Sequence, residues 1–271
     1  MVEPANDCLL VASHNIMDGR RLAGLIRDYR ALRARRGLDL LCIQENVGAG
    51  ADSHAARIAA GLGRDYGWIW DPRAPRLALV HDRRRLRCAG WRLVALPRLE
   101  RLSWLERRYI AGGRTRPKQA LLAHLITPAG RGLLVADFHL ESAGSNAHRR
   151  RQAAAIAAAL AAGPAGSALV AAGDSNAFAF DRRGQLAALA AVLAPLAALG
   201  LQAPGFRPTH FFARQNEPKL WHRLGVQLGK LGLDLPRRYD VVCSDRPLAG
   251  WGQLTTRDSD HDLVWSRLRL E

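Results

Sequence analysis

Lysine is almost missing from this chain: of 40 basic residues, only Lys118, Lys219 and Lys230 are lysines. Such a bias toward arginine, together with abundant alanine, is what a GC-rich coding sequence produces. The formal net charge of +16 therefore points to an anionic partner, nucleic acid or an acidic membrane surface, less firmly than its size suggests. Cysteine is sparse as well. Cys8, Cys42, Cys88 and Cys243 have no CxxC spacing and sit mostly in apolar runs, which excludes a disulfide framework or zinc finger and predicts buried free thiols suited to the cytoplasm. The opening MVEPANDCLL lacks the basic residues of a secretory signal. No apolar run is long enough to span a bilayer. The longest, Leu186 to Leu201, is mostly alanine and contains Pro195, so it reads as a buried or half-buried helix. Low-complexity segments and composition breaks are also absent, which predicts a single globular domain over residues 1–271, acting as a monomer.

What is present is a repeated pattern. CLLVAS (8–13), LDLLCI (38–43), GLLVADFHL (132–140), SALVAAGDSN (167–176) and YDVVCSD (239–245) are apolar strands, each ending or starting on a polar or charged group. Leu22, Leu25, Ile26, Tyr29 and Leu32 recur at helical spacing, with arginines on the outer face. Further helices are predicted at 53–62, 147–162 and 184–200, and strands at 68–70, 77–81, 91–95 and 119–126. Clustered strands with helices between them predict a mixed sheet core covered by helices, and polar strand ends on one edge make a site.

The strand-end groups are Asn15, Glu45, His139, Asp174 with Asn176, Asp240, and Asp260 with His261. Together they are an inventory for phosphoester hydrolysis. A hard divalent cation takes oxygen ligands, which Glu45 and Asp260 can supply with Asn15 nearby. Attack on phosphorus needs an oriented, partly deprotonated water, a task for a third carboxylate such as Asp174. Charge building on phosphoryl oxygens needs donors, for which His139, His261 and Asn176 are available, and Asp240 can fix an imidazole tautomer. Each residue also has an ordinary structural reading: a cap for Asp174, a turn for Asn15, a hydrogen-bonded strand histidine for His139.

HNI (14–16), LCIQEN (41–46), VADFHLES (135–142), AAGDSNAF (171–178), RYDVV (238–242) and SDHDLV (259–264) resemble, in order, the motifs of the endonuclease/exonuclease/phosphatase superfamily. That group includes pancreatic deoxyribonuclease, abasic-site endonucleases, neutral sphingomyelinases and inositol-polyphosphate phosphatases. The resemblance implies a four-layer α/β sandwich of two packed mixed β-sheets flanked by helices, like deoxyribonuclease I, and a Mg2+ or Mn2+ ion. It further implies Asn15 and Glu45 at the metal, Asp260 linked to it, and Asp174 holding the attacking water with Asn176 beside it. His139 would bind the scissile phosphate, and His261, oriented by Asp240, would stabilise the transition state. Asp258 and Asp262 would be left to solvent or a flanking turn. The chain departs from the pattern at Asp137-Phe138, where Asn-Thr is usual, at Ser175, and at Asp262-Leu263, but keeps every catalytic group.

Substrate choice rests on loops. Residues 100–119 gather Arg107, Arg108, Arg114, Arg116 and Lys118 around Gly112-Gly113 as a phosphate-gripping loop would, with Arg116 and Arg114 the preferred contacts. A family-variable insertion is expected at 214–237, where Leu220, Trp221, Leu224, Leu228 and Leu231 fall near helical spacing with basic neighbours. It could pack as an added helix, cover the site or lean on a membrane. The expectation is a metal-dependent phosphodiester hydrolase, a nuclease ahead of a sphingomyelinase-like lipid enzyme or small-molecule phosphatase. A catalytically silent binding module of the same fold is the remaining alternative.

Overall fold

The computed structural model describes residues 8–100, 102, 104, 117–179, 181–211, 214, 227 and 237–270. In chain order the strands are β1 (Cys8–Asn15), β2 (Leu40–Gln44), β3 (Tyr66–Trp70), β4 (Leu77–Asp82), β5 (Arg87–Ala95), β6 (Gln119–Ile126), β7 (Gly132–His139), β8 (Ala168–Asp174), β9 (Asp240–Ser244), β10 (Leu248–Leu254) and β11 (Leu263–Arg269). The helices are α1 (Leu22–Arg36), α2 (His54–Leu62), α3 (Asn146–Ala161) and α4 (Arg182–Ala197).

Two mixed sheets form, one in the order β10-β11-β1-β2-β4-β3 and the other β5-β6-β7-β8-β9. A strand alternates its side chains between faces, and the sequence uses both. Leu9 and Val11 of β1, Leu40 and Cys42 of β2, Leu133 and Val135 of β7, and Val170 and Ala172 of β8 point between the sheets into one shared core. Leu10, Leu41, Ile43 and Val80 point the other way, onto Leu25, Tyr29 and Leu32 of α1 and Ile58 of α2. Leu122, Leu134 and Ala136 cover the second sheet's outer face against Ile156 and Leu160 of α3 and Val192 and Leu196 of α4. The result is the expected four-layer α/β sandwich.

Local signals set the ends of the helices. Ser53, Ser145 and Asp181 cap α2, α3 and α4, each side chain accepting an N–H of the first turn. Helix α4 ends three residues before the expected limit, with Pro195 in its last turn. Strand β5 starts four residues before its expected limit, with a bulge between Cys88 and Gly90. Strand β10 was not expected. Its LAGWGQL alternation is diluted by Gly250 and Gly252, yet Gly252 is required, because a Cβ there would lie 2.5 Å from the Trp265 ring. No described helix is long and apolar enough to cross a membrane. Most of the expected insertion at 214–237 lies outside the described residues.

Several arginines donate to main-chain carbonyls rather than to carboxylates. Arg30 bonds Gly61 at 2.6 Å, Arg92 bonds Ala159 at 3.2 Å, and Arg33, Arg83 and Arg267 bond Leu62, Arg64 and Arg36. Such bonds satisfy the guanidinium without cancelling its charge.

The β7–β8 pairing is the seam that carries the site, and it depends on Gly173. That residue sits opposite Phe138 with φ 155°, and a Cβ there would fall 2.0 Å from the Phe138 carbonyl oxygen. Gly173→Ala should destabilise the protein by at least about 2 kcal/mol. The change should appear as a lower urea midpoint at unchanged slope, and a native-like midpoint would contradict this register.

Candidate active site

The inner faces of the strands change character toward one end. Beyond the apolar layer, Ser13, Gln44 and Asp137 are fully buried, and Gln44 Nε2 crosses between sheets to donate to Asp137 Oδ1 at 2.6 Å. One step further, register places His139, Asp174 and Asp240 opposite one another on β7, β8 and β9. Neighbouring strands lie about 4.8 Å apart, so their side chains stand in a row. Asn15, at the end of β1, reaches this row from the other sheet, donating Nδ2–H to Asp174 Oδ2 at 3.1 Å.

Asp174 is the hub. Its Oδ1 accepts the Asn176 N–H at 2.9 Å, while Oδ2 faces His139 Nε2 at 3.6 Å and His261 Nε2 at 3.9 Å. His261 arrives on the loop between β10 and β11. Its Nδ1 bonds Asp240 Oδ2 at 2.7 Å, and Asp240 Oδ1 is buried without a hydrogen-bond partner. Burial works against a charged His261, but Asp240, Asp260 and Asp174 outweigh it and raise its pKa to about 10. His139 goes the other way. Burial, with the nearby Lys118 ammonium, lowers it to about 3, although Asp174 pulls upward. The two histidines on either side of one carboxylate are thus shifted in opposite directions.

Behind His261, His14 Nε2 lies 3.1 Å from the His261 carbonyl oxygen and its Nδ1 2.8 Å from the Tyr29 hydroxyl. A carbonyl only accepts, so His14 carries its proton on Nε2 and takes the Tyr29 O–H at Nδ1. Burial holds His14 at about 4. Ser259 Oγ donates to the Asn15 carbonyl at 2.7 Å and ties the same loop to β1.

Glu45 follows β2 with φ 63°, its carboxylate 3.4 Å from Arg76, which also pairs with Asp18 at 2.5 Å. Burial pushes the Glu45 carboxyl up against the pull of Arg76, and Asp18 and Asp260 push the same way. Among the described residues, the non-glycine positions with positive φ are Met17, Asp18, Glu45 and Asn176. Met17 and Asp18 form a short 3-10 turn after β1, and Glu45 and Asn176 follow β2 and β8, so all four lie at this end of the strands. Left-handed backbone at such residues is uncommon and strained, and it concentrates where side chains must be aimed.

No protein-family model matches the chain, and no curated protein sequence is significantly similar to it. Solved structures are. TDP2 of D. rerio, complexed with a single-stranded DNA product, is 15% identical at TM-score 0.66, covering 96% of this chain and 98% of that one. An endonuclease/exonuclease/phosphatase of Beutenbergia cavernae is 21% identical at TM-score 0.62, covering 97% and 72%. The human Nocturnin catalytic domain with a bound sulfate anion is 16% identical at TM-score 0.62, covering 97% and 94%. This is the endonuclease/exonuclease/phosphatase fold.

Within that fold the structure brings together Asn15, Glu45, His139, Asp174, Asn176, Asp240, Asp260 and His261. Arg114 and Arg116 lie outside the described residues. Of the two residues expected at solvent or a flanking turn, Asp258 lies in the turn before His261, while Asp262 does not. Asp262 is buried and accepts Gln253 Nε2 at 2.7 Å, and Asp258 turns toward α1, 3.9 Å from Arg27. Four groups at the site were not singled out from the sequence: Asp18, Arg76, Tyr239 and His210. The Tyr239 ring stacks on His210 at 5.0 Å, and His210 Nε2 lies 3.6 Å from Asp260 Oδ2. Asp18 lies three residues past Asn15, a weak signal; nothing in PTHFF marks His210.

The charge on His261 makes a pH prediction. A pKa raised from 6.5 in the unfolded chain to about 10 in the fold stabilises the protein fully below about pH 6.5, and that contribution fades as pH rises through 10. Nitrogen-15 NMR should find the His261 ring doubly protonated at pH 8. In Asp240→Asn the ring should titrate near or below neutrality; an unchanged titration would remove Asp240 as the cause.

Proposed function

We propose that this protein is a metal-dependent hydrolase of phosphodiester bonds in nucleic acid, working by in-line attack of a water activated by Asp174. The observation that supports this most directly is the Asp174 carboxylate standing between His139 Nε2 at 3.6 Å and His261 Nε2 at 3.9 Å. A carboxylate base and two imidazole donors are then within one phosphate's reach.

In this reading Asp174, oriented by the Asn176 N–H and by Asn15, takes the proton of the attacking water. His261 donates from Nε2 to a phosphoryl oxygen as negative charge builds there, and Asp240 keeps that imidazolium charged and oriented. His139 offers its one N–H to the scissile phosphate. The Asn176 amide, with one N–H tied to the Leu140 carbonyl at 3.1 Å, has another to offer.

The oxygen donors also suit a hard divalent cation. Burial and repulsion from Asp18 and Asp260 hold the Glu45 carboxyl above its usual range, a penalty that a cation relieves. Glu45 and Asp260, with Asn15 beside them, would hold Mg2+ or Mn2+. Its charge would offset the charge developing on the phosphate and leaving oxygen.

Nucleic acid is favoured over a lipid by two considerations. The similar TDP2 structure carries single-stranded DNA and the Nocturnin domain a sulfate, an anion of phosphate's shape. The arginines bonded to carbonyls leave a positive field that would steer a polyanion, with strong salt dependence.

Supercoiled plasmid should be nicked with Mg2+ or Mn2+ and spared with chelator. Asp174→Ala and His261→Ala should each slow nicking at least about a hundredfold. Intact plasmid with folded protein would move the substrate to lipid or small phosphoesters. No metal-dependent turnover of any phosphoester would leave a binding module, and near-native turnover by either variant would remove its assigned role.

A further inference from the structure

At the far end of the strands from His139 and Asp174, the second sheet carries a cleft of about 560 Å³. It opens where β6 ends and β7 and β8 begin, roughly 20 Å from the candidate active site at about 3.3 Å per strand residue. Its volume falls in the range of small-molecule sites. The polar lining is of one kind. His124, Arg131, Ser167 and Arg246 supply donors, and among the described residues of the lining there is no carboxylate.

Two features point to an anion there. A Cβ on Gly132 would stand 2.6 Å from Ser167 Oγ and 3.1 Å from His124 Nε2, so a side chain at that position would fill the space in front of both atoms. Arg246 Nε is buried without a hydrogen-bond partner. The carboxylate beside it, Asp245 Oδ1, lies 3.7 Å away, beyond hydrogen-bond reach, and already accepts the Leu169 N–H at 2.8 Å. A buried guanidinium N–H without an acceptor carries a desolvation cost that an anion would relieve. Main chain fixes the turns on either side. Gly130 N–H bonds the Thr127 carbonyl at 2.9 Å, Arg131 N–H bonds the Thr127 hydroxyl at 3.1 Å, and Ser167 N–H bonds the Pro164 carbonyl at 3.3 Å.

We propose that this cleft is a second anion site, in which Arg131, Arg246, Ser167 and His124 bind the phosphate group of a small molecule. The donors arrive from β6, the β6–β7 turn, the turn before β8 and the turn after β9. Donors on several sides suit a tetrahedral anion better than a planar carboxylate, which one guanidinium can satisfy alone. Two guanidinium groups also answer the charge of a phosphate monoester, about −2 at neutral pH. The site stands apart from the hydrolase reading, since none of its residues belongs to the catalytic group.

The test is a proton–nitrogen-15 NMR titration of the full chain, with inorganic phosphate in one arm and adenosine monophosphate in the other. The Gly132, Ser167 and Arg246 amides should shift saturably. Equal affinity in the two arms would make phosphate itself the ligand, and affinity at least about tenfold higher in the second arm would make it a nucleotide. Arg246→Gln should weaken the binding read at Gly132 and Ser167 at least about tenfold. Gly132→Ala, whose methyl group would stand in front of Ser167 Oγ, is the second variant should the glutamine protein fail to fold. It should weaken the same binding.

Shifts confined to the surroundings of Asp174 and His261 would mean that phosphate enters only the catalytic cleft, which would overturn the second site and leave the hydrolase reading standing. Shifts at Gly132, Ser167 and Arg246 that are absent or never saturate in both arms would overturn it too. So would native affinity in both variants.

Discussion

The hydrogen bond from Gln44 to Asp137 marks where the hydrophobic core stops. On one side of it the two sheets touch through Leu, Val and Ala; on the other they touch only through polar groups. Burial pushes the Asp137 carboxyl well above the usual carboxylate range, against the pull of its hydrogen bond from Gln44. Asn15, His139, Asp174 and Asp240 all stand one alternation beyond this layer, so their height above the core is set by strand period and register.

From that platform the charges divide themselves. A carboxylate row in a buried cleft is costly unless cations answer it. His261 does so because it sits among Asp240, Asp260 and Asp174, while burial, with Lys118 nearby, shifts His139 away from the charged form. Neither imidazole is unusual in itself. Their neighbours on adjoining strands and loops decide which becomes the cation, and a conformational change that moved the 259–262 loop would alter both. Tyr29 of α1 bears on that loop through His14 of β1 and the His261 carbonyl, linking the outermost layer to the site.

Much of this was legible in the residues. Apolar runs ending in polar groups located five of the strands and the layer in which the site lies, because a strand end buried on both faces leaves a sharp change of polarity. Six motifs in one order named the fold. Other parts were not legible for particular reasons. His210 lies in a short irregular stretch, and two isolated bridges, to Arg237 and to His261, bring it to the site. Arg76 lies in the turn before β4 and reaches Glu45 only because β4 pairs with β2. Asp262 looked like a surface residue because Asp is common in turns, and its burial depends on Gln253 of the glycine-diluted strand β10.

The left-handed backbone at Asp18, Glu45 and Asn176 places stability and chemistry in opposition. Glycine at any of these positions would relax the main chain, yet it would delete a carboxylate or amide from the cleft. A more stable main chain at these positions is therefore open only through the loss of the groups that line the cleft.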